Sequence, residues 1–194
     1  MIYFLRHGKP DSAGGRFIGQ TDLPLSAEGI EQANQWAHFF SKNSISFDAV
    51  FASDLLRCKK TAEIIAAGAV KYLPSLREIN LGEWDGKPRQ EIIDSRPAEW
   101  KKRGSGIASF RPAGGESFFD LQSRVVPAVS EIMRGAGNKL VVTHAGVIRC
   151  VICHIMEAPL AKLFSLESAY AGLTLIDDSK TPAAINCTNM RLCP

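Results

Sequence analysis

Short apolar runs alternate along the chain with segments in which apolar residues recur at helical spacing. Runs of strand length predict β-strands at residues 1–5, 48–52, 70–73, 139–143, 171–177 and 183–187. Helical periodicity predicts helices at residues 27–42, from about 55, on both sides of Pro97, from 117, and at 147–156. Strands that alternate with helices favour a largely parallel sheet with helices on both faces, an α/β fold.

Capping and breaking residues refine three of these helices. Ser26 is a good N-cap for the first helix, and Ser53 or Asp54 is expected to cap the second. The long helix begins at Glu116-Ser117. Pro127 lies inside it and is expected to kink or divide it, because proline donates no backbone hydrogen bond.

Composition indicates an ordinary globular protein. The 194 residues are 45% hydrophobic and 22% charged, and they contain no linker-like segment, which predicts one domain over 1–194. The net charge is +3 with the charges interspersed, so nucleic acid is not indicated as a partner. No apolar stretch approaches the roughly 18 residues that span a bilayer, and no signal peptide is recognisable, so no membrane partner and a cytoplasmic location are expected.

Five cysteines, an odd and sparse set, predict reduced thiols rather than a disulfide framework. The segment Cys150-Val-Ile-Cys153-His154 matches the C-x-x-C-H signature of haem attachment. Its surroundings are apolar and periodic, so we interpret it as part of a buried helix, which a haem spectrum of the purified protein would test. No cofactor is expected.

Charged residues follow two of the predicted strands. Arg6-His7-Gly8 comes directly after the first strand, and His144 follows the strand at 139–143. Ligands gather at the carboxyl ends of parallel strands, where these side chains are expected to meet Arg57 from the second helix. Imidazole and guanidinium groups suit a phosphate, so phosphoryl chemistry is the first hypothesis, with Glu78 as a candidate acid.

Each of these residues also has a structural interpretation when it is taken singly. His144 is compatible with a hydrogen-bonded core histidine, Arg57 with a surface arginine and Glu78 with a loop carboxylate. Their occurrence together in one ordered pattern favours a functional site. His38 and His154 match no motif and are expected to be structural or surface residues.

The ordered pattern resembles the histidine phosphatase superfamily, the phosphoglycerate mutase-like group, from residue 2 to about residue 150. The matching segments are Arg6 to Gly8, Ile18 to Gly29, Ser53 to Arg57, Leu76 to Gly86, Gly114 to Ser117 and Thr143 to Gly146. The resemblance implies a three-layer α/β/α sandwich with a mostly parallel sheet, and no metal. It also implies an enzyme that acts on a small phosphorylated metabolite.

The resemblance assigns roles to individual residues. It implies that His7 is the nucleophile that becomes a phosphohistidine, assisted by His144. Glu78 would protonate the leaving alkoxide and later deprotonate the attacking water. General acid–base catalysis of this kind raises the reaction rate by about 10²- to 10⁴-fold. The phosphate oxygens would be held by Arg6, Arg57, His144 and the backbone N–H of Ala145.

The loop after the opening triplet departs from the family. Many members of the family have an Asn in this loop that contacts the phosphate. This chain contains Lys9-Pro10-Asp11 and no Asn, so Ser12 or a backbone N–H of the Gly14-Gly15 pair is expected to replace that contact. Lys9 and Arg16 are alternatively expected to meet a second anionic group of the substrate, and Gly19 is grouped with them as a substrate-binding residue. This loop is where we expect substrate selection.

Within the family, the chain is most like the α-ribazole phosphatase branch. The segments that carry this likeness are Ile18 to Leu25, Ile79 to Gly86 and Arg111 to Ser117. The chain lacks the longer insertion of phosphoglycerate mutases, and this favours hydrolysis over a mutase reaction. The candidate substrate is α-ribazole 5′-phosphate. A mutase, a protein phosphatase and a catalytically silent phosphate-binding module stay open as alternatives, as does a homodimer.

Overall fold

The strands and helices of a computed structural model follow the predicted order, and the structure describes residues 1–66 and 68–192. The strands are β1 (Ile2–Arg6), β2 (Ala49–Ala52), β3 (Val70–Tyr72), β4 (Lys139–Thr143), β5 (Leu173–Asp177) and β6 (Ala184–Met190). The α-helices are α1 (Ala27–Lys42), α2 (Leu56–Ile65), α3 (Arg89–Ser95), α4 (Pro97–Ser105), α5 (Phe118–Arg134) and α6 (Ala145–Ile155). Short 3₁₀ turns lie at Pro74–Leu76, Gly82–Trp84 and Leu160–Ser165.

The strands form one mixed sheet in the order β3-β2-β4-β1-β5-β6. The pairs β2–β3, β2–β4 and β1–β4 are parallel, whereas β5 and β6 add to the β1 edge in antiparallel orientation. In the parallel pair β1–β4, Arg6 lies opposite Thr143. The residues that follow these two strands therefore emerge side by side, which explains why the ends of β1 and β4 can share a site.

Two apolar clusters cover the two faces of the sheet and make the fold three-layered, as predicted. Side chains of successive strand residues point to opposite faces, so Phe4 joins the cluster beneath α5 and α6 while Leu5 joins the cluster beneath α1 and α2. Strand β4 does the same, with Val141 on one face and Val142 on the other. Its near-continuous apolar sequence is typical of a strand buried on both faces.

The structure corrects the predicted start of the second helix. Helix α2 begins at Leu56, and its N-cap residue Leu55 has no capping side chain. Asp22, more than thirty residues earlier in the chain, accepts the backbone hydrogen bond of Leu56 at 2.7 Å. Neither Ser53 nor Asp54 caps the helix, because Ser53 faces the site described below and Asp54 binds Arg77.

Two further helices differ from the prediction. Helix α5 continues through Pro127 without division, because the stripe of Leu121, Val125, Val129 and Ile132 buries one face along its whole length. Helix α6 begins at Ala145 rather than at residue 147, which places its first turn directly beside His144. Strand β6 continues to Met190, beyond its predicted end.

Cys150 and Cys153 are buried on helix α6, where their sequence predicted a helix. Cys58, Cys150, Cys153 and Cys187 are unpaired thiols, and Cys193 lies outside the described residues. None of the described helices is long and apolar enough to cross a membrane.

Candidate active site

The carboxyl ends of β1 and β4 bring together the residues that the sequence pattern singled out. The rings of His7 and His144 lie 5.1 Å apart, centroid to centroid, and both side chains are buried. Nε of Arg57, in the first turn of α2, lies 3.3 Å from Nε2 of His7. Residues from three separate segments thus meet in one polar cluster inside the protein.

The hydrogen bonds of His7 determine which ring nitrogen carries the proton and which is unprotonated. Its Nδ1 lies 2.7 Å from the carbonyl oxygen of Gly8, which only accepts, so Nδ1 carries the proton in the neutral ring. The lone pair therefore belongs to Nε2, the atom that faces Arg57. Burial, together with the positive charges of Arg6 and Arg57, holds the pKa of His7 well below its usual 6.5.

Arg57 is held by the loop that contains Gly19. Its Nη2 donates to the Gly19 carbonyl at 2.6 Å and its Nη1 to the Thr21 carbonyl at 2.8 Å. The carboxylate of Asp85 in turn accepts backbone hydrogen bonds from Gly19, Gln20 and Thr21 at 2.7–3.0 Å. Gly19 therefore positions Arg57, and Asp85, which sequence reasoning missed, positions Gly19.

Arg6 stacks on an aromatic ring beside His7. Its guanidinium carbon lies 3.8 Å from the ring centroid of Tyr170, and its Nη1 donates to the Ser168 carbonyl at 2.5 Å. Nε of Arg6 is buried and has no hydrogen-bond partner among the described residues. A buried donor without a partner is costly, and an anion oxygen would satisfy it. Tyr170 belongs to no recognisable sequence motif, so the sequence did not predict its place in the site.

His144 is the N-cap residue of α6 and is fully buried. Its Nε2 lies 2.8 Å from the hydroxyl of Ser53 and 3.4 Å from the thiol of Cys58. Burial and the charge of Arg57 lower the pKa of His144 well below 6.5. Ala145 is the first residue of α6, where backbone N–H groups and the helix dipole favour negative charge.

Glu78 reaches the same helix end from its loop. Its two carboxylate oxygens accept backbone hydrogen bonds from Ile79 at 2.9 Å and from Gly146 at 3.1 Å. The Glu78 carbonyl accepts further bonds from Gln20 and Arg124. The Glu78 carboxylate is therefore held at the first turn of α6, through backbone contacts that no local sequence pattern indicates.

A cavity of about 200 Å³ adjoins this cluster and is bounded by Glu78, Ala145 and Gly146. Arg16, which the sequence predicted to meet a second anionic group of the substrate, is among the residues that line it. Lys9 does not, because its ammonium group forms an ion pair with Glu28 at 2.5 Å on the surface. The Ser12 hydroxyl bonds to Asp11 within its own exposed loop.

The residues that the structure describes contain no group of three or more His, Cys, Asp or Glu side chains arranged to hold a metal ion. The positive groups of the site are the arginines and the helix end, and Arg57 contacts the unprotonated nitrogen of His7. Such an arrangement can bind an anion and present a nucleophile to it.

We expect the stability of the protein to fall steeply below neutral pH. Both buried histidines are neutral in the folded state, since their pKa values are lowered, whereas in the unfolded chain each takes up a proton near 6.5. Below that pH the unfolded state binds more protons, so the free energy of unfolding decreases by about 1.4 kcal/mol per pH unit for each histidine. Urea unfolding between about pH 5.5 and 7.5 measures this slope.

Replacing both buried histidines by Asn should flatten the slope, while replacing the exposed His38 and His154 should leave it unchanged. Equal slopes in the two double variants would contradict the lowered pKa values.

Comparison with known proteins agrees with the geometry. The family model of the histidine phosphatase superfamily (branch 1) matches residues 2–190. The chain is 31% identical over 188 residues to 6-phosphofructo-2-kinase/fructose-2,6-bisphosphatase of Caenorhabditis elegans, covering 96% of this chain and 40% of that protein. It therefore spans about two fifths of the length of that relative.

Two further comparisons cover most of this chain and most of the protein it is compared with. The chain is 32% identical over 191 residues to the "Probable phosphoglycerate mutase GpmB" of Serratia proteamaculans, covering 93% of this chain and 86% of that protein. The crystal structure of the alpha-ribazole phosphatase from Shigella flexneri superimposes with a TM-score of 0.88 at 25% identity, covering 98% of this chain and 96% of that one. The chain belongs to the histidine phosphatase superfamily, whose members are phosphatases or mutases, and shares the fold of phosphoglycerate mutase-like proteins.

Proposed function

We propose that residues 1–194 form a single-domain phosphomonoesterase that hydrolyses a small phosphorylated metabolite through a phosphohistidine on His7, without a metal or cofactor. The observation that carries the proposal is the unprotonated Nε2 of a buried, neutral His7, which accepts a hydrogen bond from the Arg57 guanidinium while the charge of Arg6 also acts on the ring. A neutral imidazole can attack phosphorus at neutral pH, and two fixed cations lower the energy of the charged phosphoryl group. The cytoplasmic location belongs to the same proposal.

In the first step, the Nε2 lone pair of His7 forms a bond to phosphorus as the bond from phosphorus to the substrate oxygen breaks. Glu78 donates its proton to the departing alkoxide, so that a neutral alcohol leaves. Arg6 and Arg57 compensate the charge that spreads over the phosphoryl oxygens in the in-line transition state, with His144 and the Ala145 N–H as further donors.

In the second step, water attacks the phosphohistidine and Glu78, now ionised, takes the proton of the water. The bond from phosphorus to Nε2 breaks and its electron pair returns to the imidazole, which restores the neutral ring. Inorganic phosphate then leaves, and Glu78 is protonated again, as it was before the first step. The same residue thus serves as acid and then as base.

Replacing Gly146 by Ala is expected to lower kcat by about 10²-fold, because the new Cβ would collide with the Glu78 carboxylate and displace the acid. Gly104→Ala is the matched control, since it also lies in a helix and its Cβ would meet no atom within 4 Å. Alanine favours helices over glycine by about 1 kcal/mol, so neither variant should lose stability through helix propensity. Steady-state kinetics and thermal unfolding of both variants test the position of Glu78, and equal kcat values would contradict its role.

Trapping the intermediate tests the proposed mechanism. Rapid quenching with a ³²P-labelled substrate should give one acid-labile, base-stable label per chain, located on His7 by peptide mapping. Product analysis separates hydrolysis from the mutase alternative, because a phosphatase releases inorganic phosphate and a mutase returns the phosphoryl group to another hydroxyl. An absence of label during demonstrated turnover would overturn the proposal.

The three similar proteins are named for different substrates, so the substrate of this chain is open to a screen. α-Ribazole 5′-phosphate belongs in that screen, supported by the match to the Shigella flexneri phosphatase and by the segments from Ile18 to Leu25 and Ile79 to Gly86. Sugar phosphates and phosphoglycerates are the other classes to compare. Release of inorganic phosphate, with His7→Ala as the blank, ranks them.

A further inference from the structure

The turn that precedes β5 brings one aromatic side chain to the phosphoryl site, and the proposed mechanism gives that side chain no role. The ring centroid of Tyr170 lies 5.7 Å from the ring centroid of His7 and 3.8 Å from the guanidinium carbon of Arg6. Tyr170 is half-buried. It therefore contacts a cation on which the mechanism depends without being one of the groups that take part in the reaction.

The backbone next to Tyr170 is strained. Ala171 has a φ of +52°, in the left-handed region that residues with a Cβ seldom adopt. Such a conformation persists only where the surrounding contacts hold it, and it occurs most often at functional sites. We therefore looked for the contacts that hold this turn.

Backbone hydrogen bonds join the turn to Arg6 and His7. The N–H of Ala171 donates to the His7 carbonyl at 3.1 Å, and the N–H of Arg6 donates to the Gly172 carbonyl at 3.0 Å. These two bonds extend the antiparallel pairing of β1 with β5 to the end of β1. The main chain therefore fixes the position of Tyr170 relative to the two residues that its ring faces.

Two side chains from other elements hold the same turn. Nε1 of the buried Trp36, on α1, donates to the Ala171 carbonyl at 2.7 Å. Oδ1 of Asn189, on β6, accepts from the N–H of Ala169 at 2.7 Å. The same Oδ1 lies so close to Gly172 that a Cβ at this position would approach it to 2.3 Å. Contacts from α1, β1 and β6 thus compensate the unfavourable φ of Ala171.

The partner of the Arg6 guanidinium is the face of a ring rather than a carboxylate. Within residues 1–66 and 68–192, no Asp or Glu oxygen lies within 4.0 Å of the nitrogens of Arg6. A carboxylate would neutralise the cation and occupy the N–H groups that a phosphate needs, whereas an aromatic face attracts the cation and leaves its in-plane N–H groups available. The stack on Tyr170 therefore restricts Arg6 without using up its charge.

A further contact decides which edge of the Arg6 guanidinium is available. Nη1 donates to the carbonyl of Ser168, in the same turn, at 2.5 Å. The opposite edge is formed by Nε and Nη2, and Nε is a buried donor without a partner among the described residues. Two parallel N–H groups of this kind match two oxygens of a phosphate. The turn thus holds Arg6 by its plane and by one end, and leaves the other edge for an anion.

We propose that Tyr170 is a positioning residue of the phosphoryl site, whose ring holds the Arg6 guanidinium so that the edge formed by Nε and Nη2 binds two oxygens of the phosphoryl group at His7. This inference rests on the proposed phosphomonoesterase function and adds the means by which the site keeps one of its cations ordered before the substrate binds. An ordered guanidinium lowers the entropic cost of binding and keeps its N–H groups in the geometry that the reaction requires. The ring, and not the hydroxyl, carries this role.

Substitution of the ring tests the proposal. Tyr170→Leu is expected to lower kcat/KM by about 10- to 100-fold, because Arg6 leaves its position when the stack is lost, and a displacement of about 1 Å can cost 10²-fold. Tyr170→Phe keeps the ring and should retain most of the activity. Tyr72→Leu is the matched control, because it removes a ring that lies 5.2 Å from Nζ of Lys59 at the sheet edge formed by β3.

A double-mutant cycle shows whether Tyr170 acts through Arg6. The affinity for inorganic phosphate is measured by isothermal titration calorimetry in the unmodified protein, in Tyr170→Leu, in Arg6→Ala and in the double variant. Tyr170→Leu should weaken binding by about 10-fold when Arg6 is present and have almost no effect when Arg6 is absent. Equal losses in both backgrounds would assign Tyr170 a structural role only and overturn the proposal.

The Nε–H group of Arg6 gives a signature that needs no substitution of Tyr170. In protein labelled with ¹⁵N-arginine, its resonance is assigned by its absence from the spectrum of Arg6→Lys. The ring face of Tyr170 should shift the Hε resonance upfield, and added inorganic phosphate should shift it downfield through the new hydrogen bond. An Hε resonance that does not respond to bound phosphate would exclude Nε as a donor and overturn the proposal.

These measurements separate the inference from the proposed function, because phosphate binding requires no turnover. Coupling between Tyr170 and Arg6 in a protein that hydrolyses no phosphomonoester would retain the positioning role and overturn the phosphatase. Hydrolysis that Tyr170→Leu leaves unchanged would overturn the positioning role while the phosphatase stands.

Discussion

His7→Ala is expected to lower kcat/KM by at least about 10⁴-fold for every phosphomonoester the protein hydrolyses, because it removes the atom that forms the covalent intermediate. The hydrogen bonds of His7 identify the atom that would form this intermediate. Only one nitrogen of His7 is unprotonated, and it is the nitrogen that points to Arg57. No other described side chain places an imidazole nitrogen within hydrogen-bond distance of that guanidinium.

The controls for this prediction separate chemistry from folding. His38→Ala and His154→Ala each remove an exposed histidine and should leave kcat/KM unchanged. Added imidazole should restore part of the turnover of His7→Ala, since a free imidazole can occupy the vacated volume and attack in place of the side chain. Unchanged turnover in His7→Ala, with the histidine absent by mass spectrometry, would exclude the phosphohistidine.

Glu78→Gln is expected to lower kcat by about 10²- to 10⁴-fold for substrates with an alkyl leaving group, the usual contribution of a general acid. Glutamine preserves the size of the side chain but cannot donate the proton that an alkoxide needs to leave. It also turns an amide NH₂ towards one of the two backbone N–H groups, of Ile79 or Gly146, that the carboxylate accepts. Both effects act on the same step.

The leaving group decides whether Glu78 acts as an acid. p-Nitrophenolate leaves without a proton, so phosphorylation of Glu78→Gln by p-nitrophenyl phosphate should stay fast. Hydrolysis of the phosphohistidine should then limit the rate and give a burst of about one p-nitrophenol per chain in a stopped-flow trace. Glu31→Gln, on the exposed face of α1, is the matched control. Equal losses for alkyl and aryl substrates without a burst would assign Glu78 a structural role instead.

The environment of His7 suits both steps of the proposed mechanism. Burial disfavours a protonated imidazole, and the charges of Arg6 and Arg57 act in the same direction, so the His7 ring is neutral at neutral pH. The same cations would favour the dianionic phosphoryl group of the proposed phosphohistidine. In the proposed mechanism these charges oppose the protonated, inactive form of His7 and stabilise the transition state, which is the differential interaction that accelerates a reaction.

The supporting contacts of the site come from loops that are distant in sequence. Asp85 orders the backbone of residues 19–21, and that backbone orders Arg57. Ser53 supports His144 in a similar way. The sequence predicted Ser53 or Asp54 as a helix cap, because Ser and Asp are common N-cap residues, whereas in the structure Ser53 contacts His144 and Gly19 contacts Arg57.

The sequence by itself determined the order of strands and helices, their alternation and the polar residues at the ends of β1 and β4. These features depend on side-chain periodicity and on residues within a few positions, and β4 was predicted with its observed bounds. The six ordered segments from Arg6-His7-Gly8 to Thr143-His144-Ala145-Gly146 predicted the family, and the family model confirms it. Boundaries that depend on local backbone preference alone, such as the start of α1 after Ser26, were also predicted correctly.

Only the tertiary structure decided which atoms meet. The acceptor at the start of α2 is Asp22, the partner of the Glu78 carboxylate is Gly146, and residues of helices α3, α4 and α6 line the cavity beside Glu78. Lys9 looked as suitable for a second anion as Arg16, yet its ammonium group pairs with Glu28. The physical reason is that local sequence sets backbone conformation over a few residues, whereas the packing of whole elements sets the distances between side chains far apart in the chain.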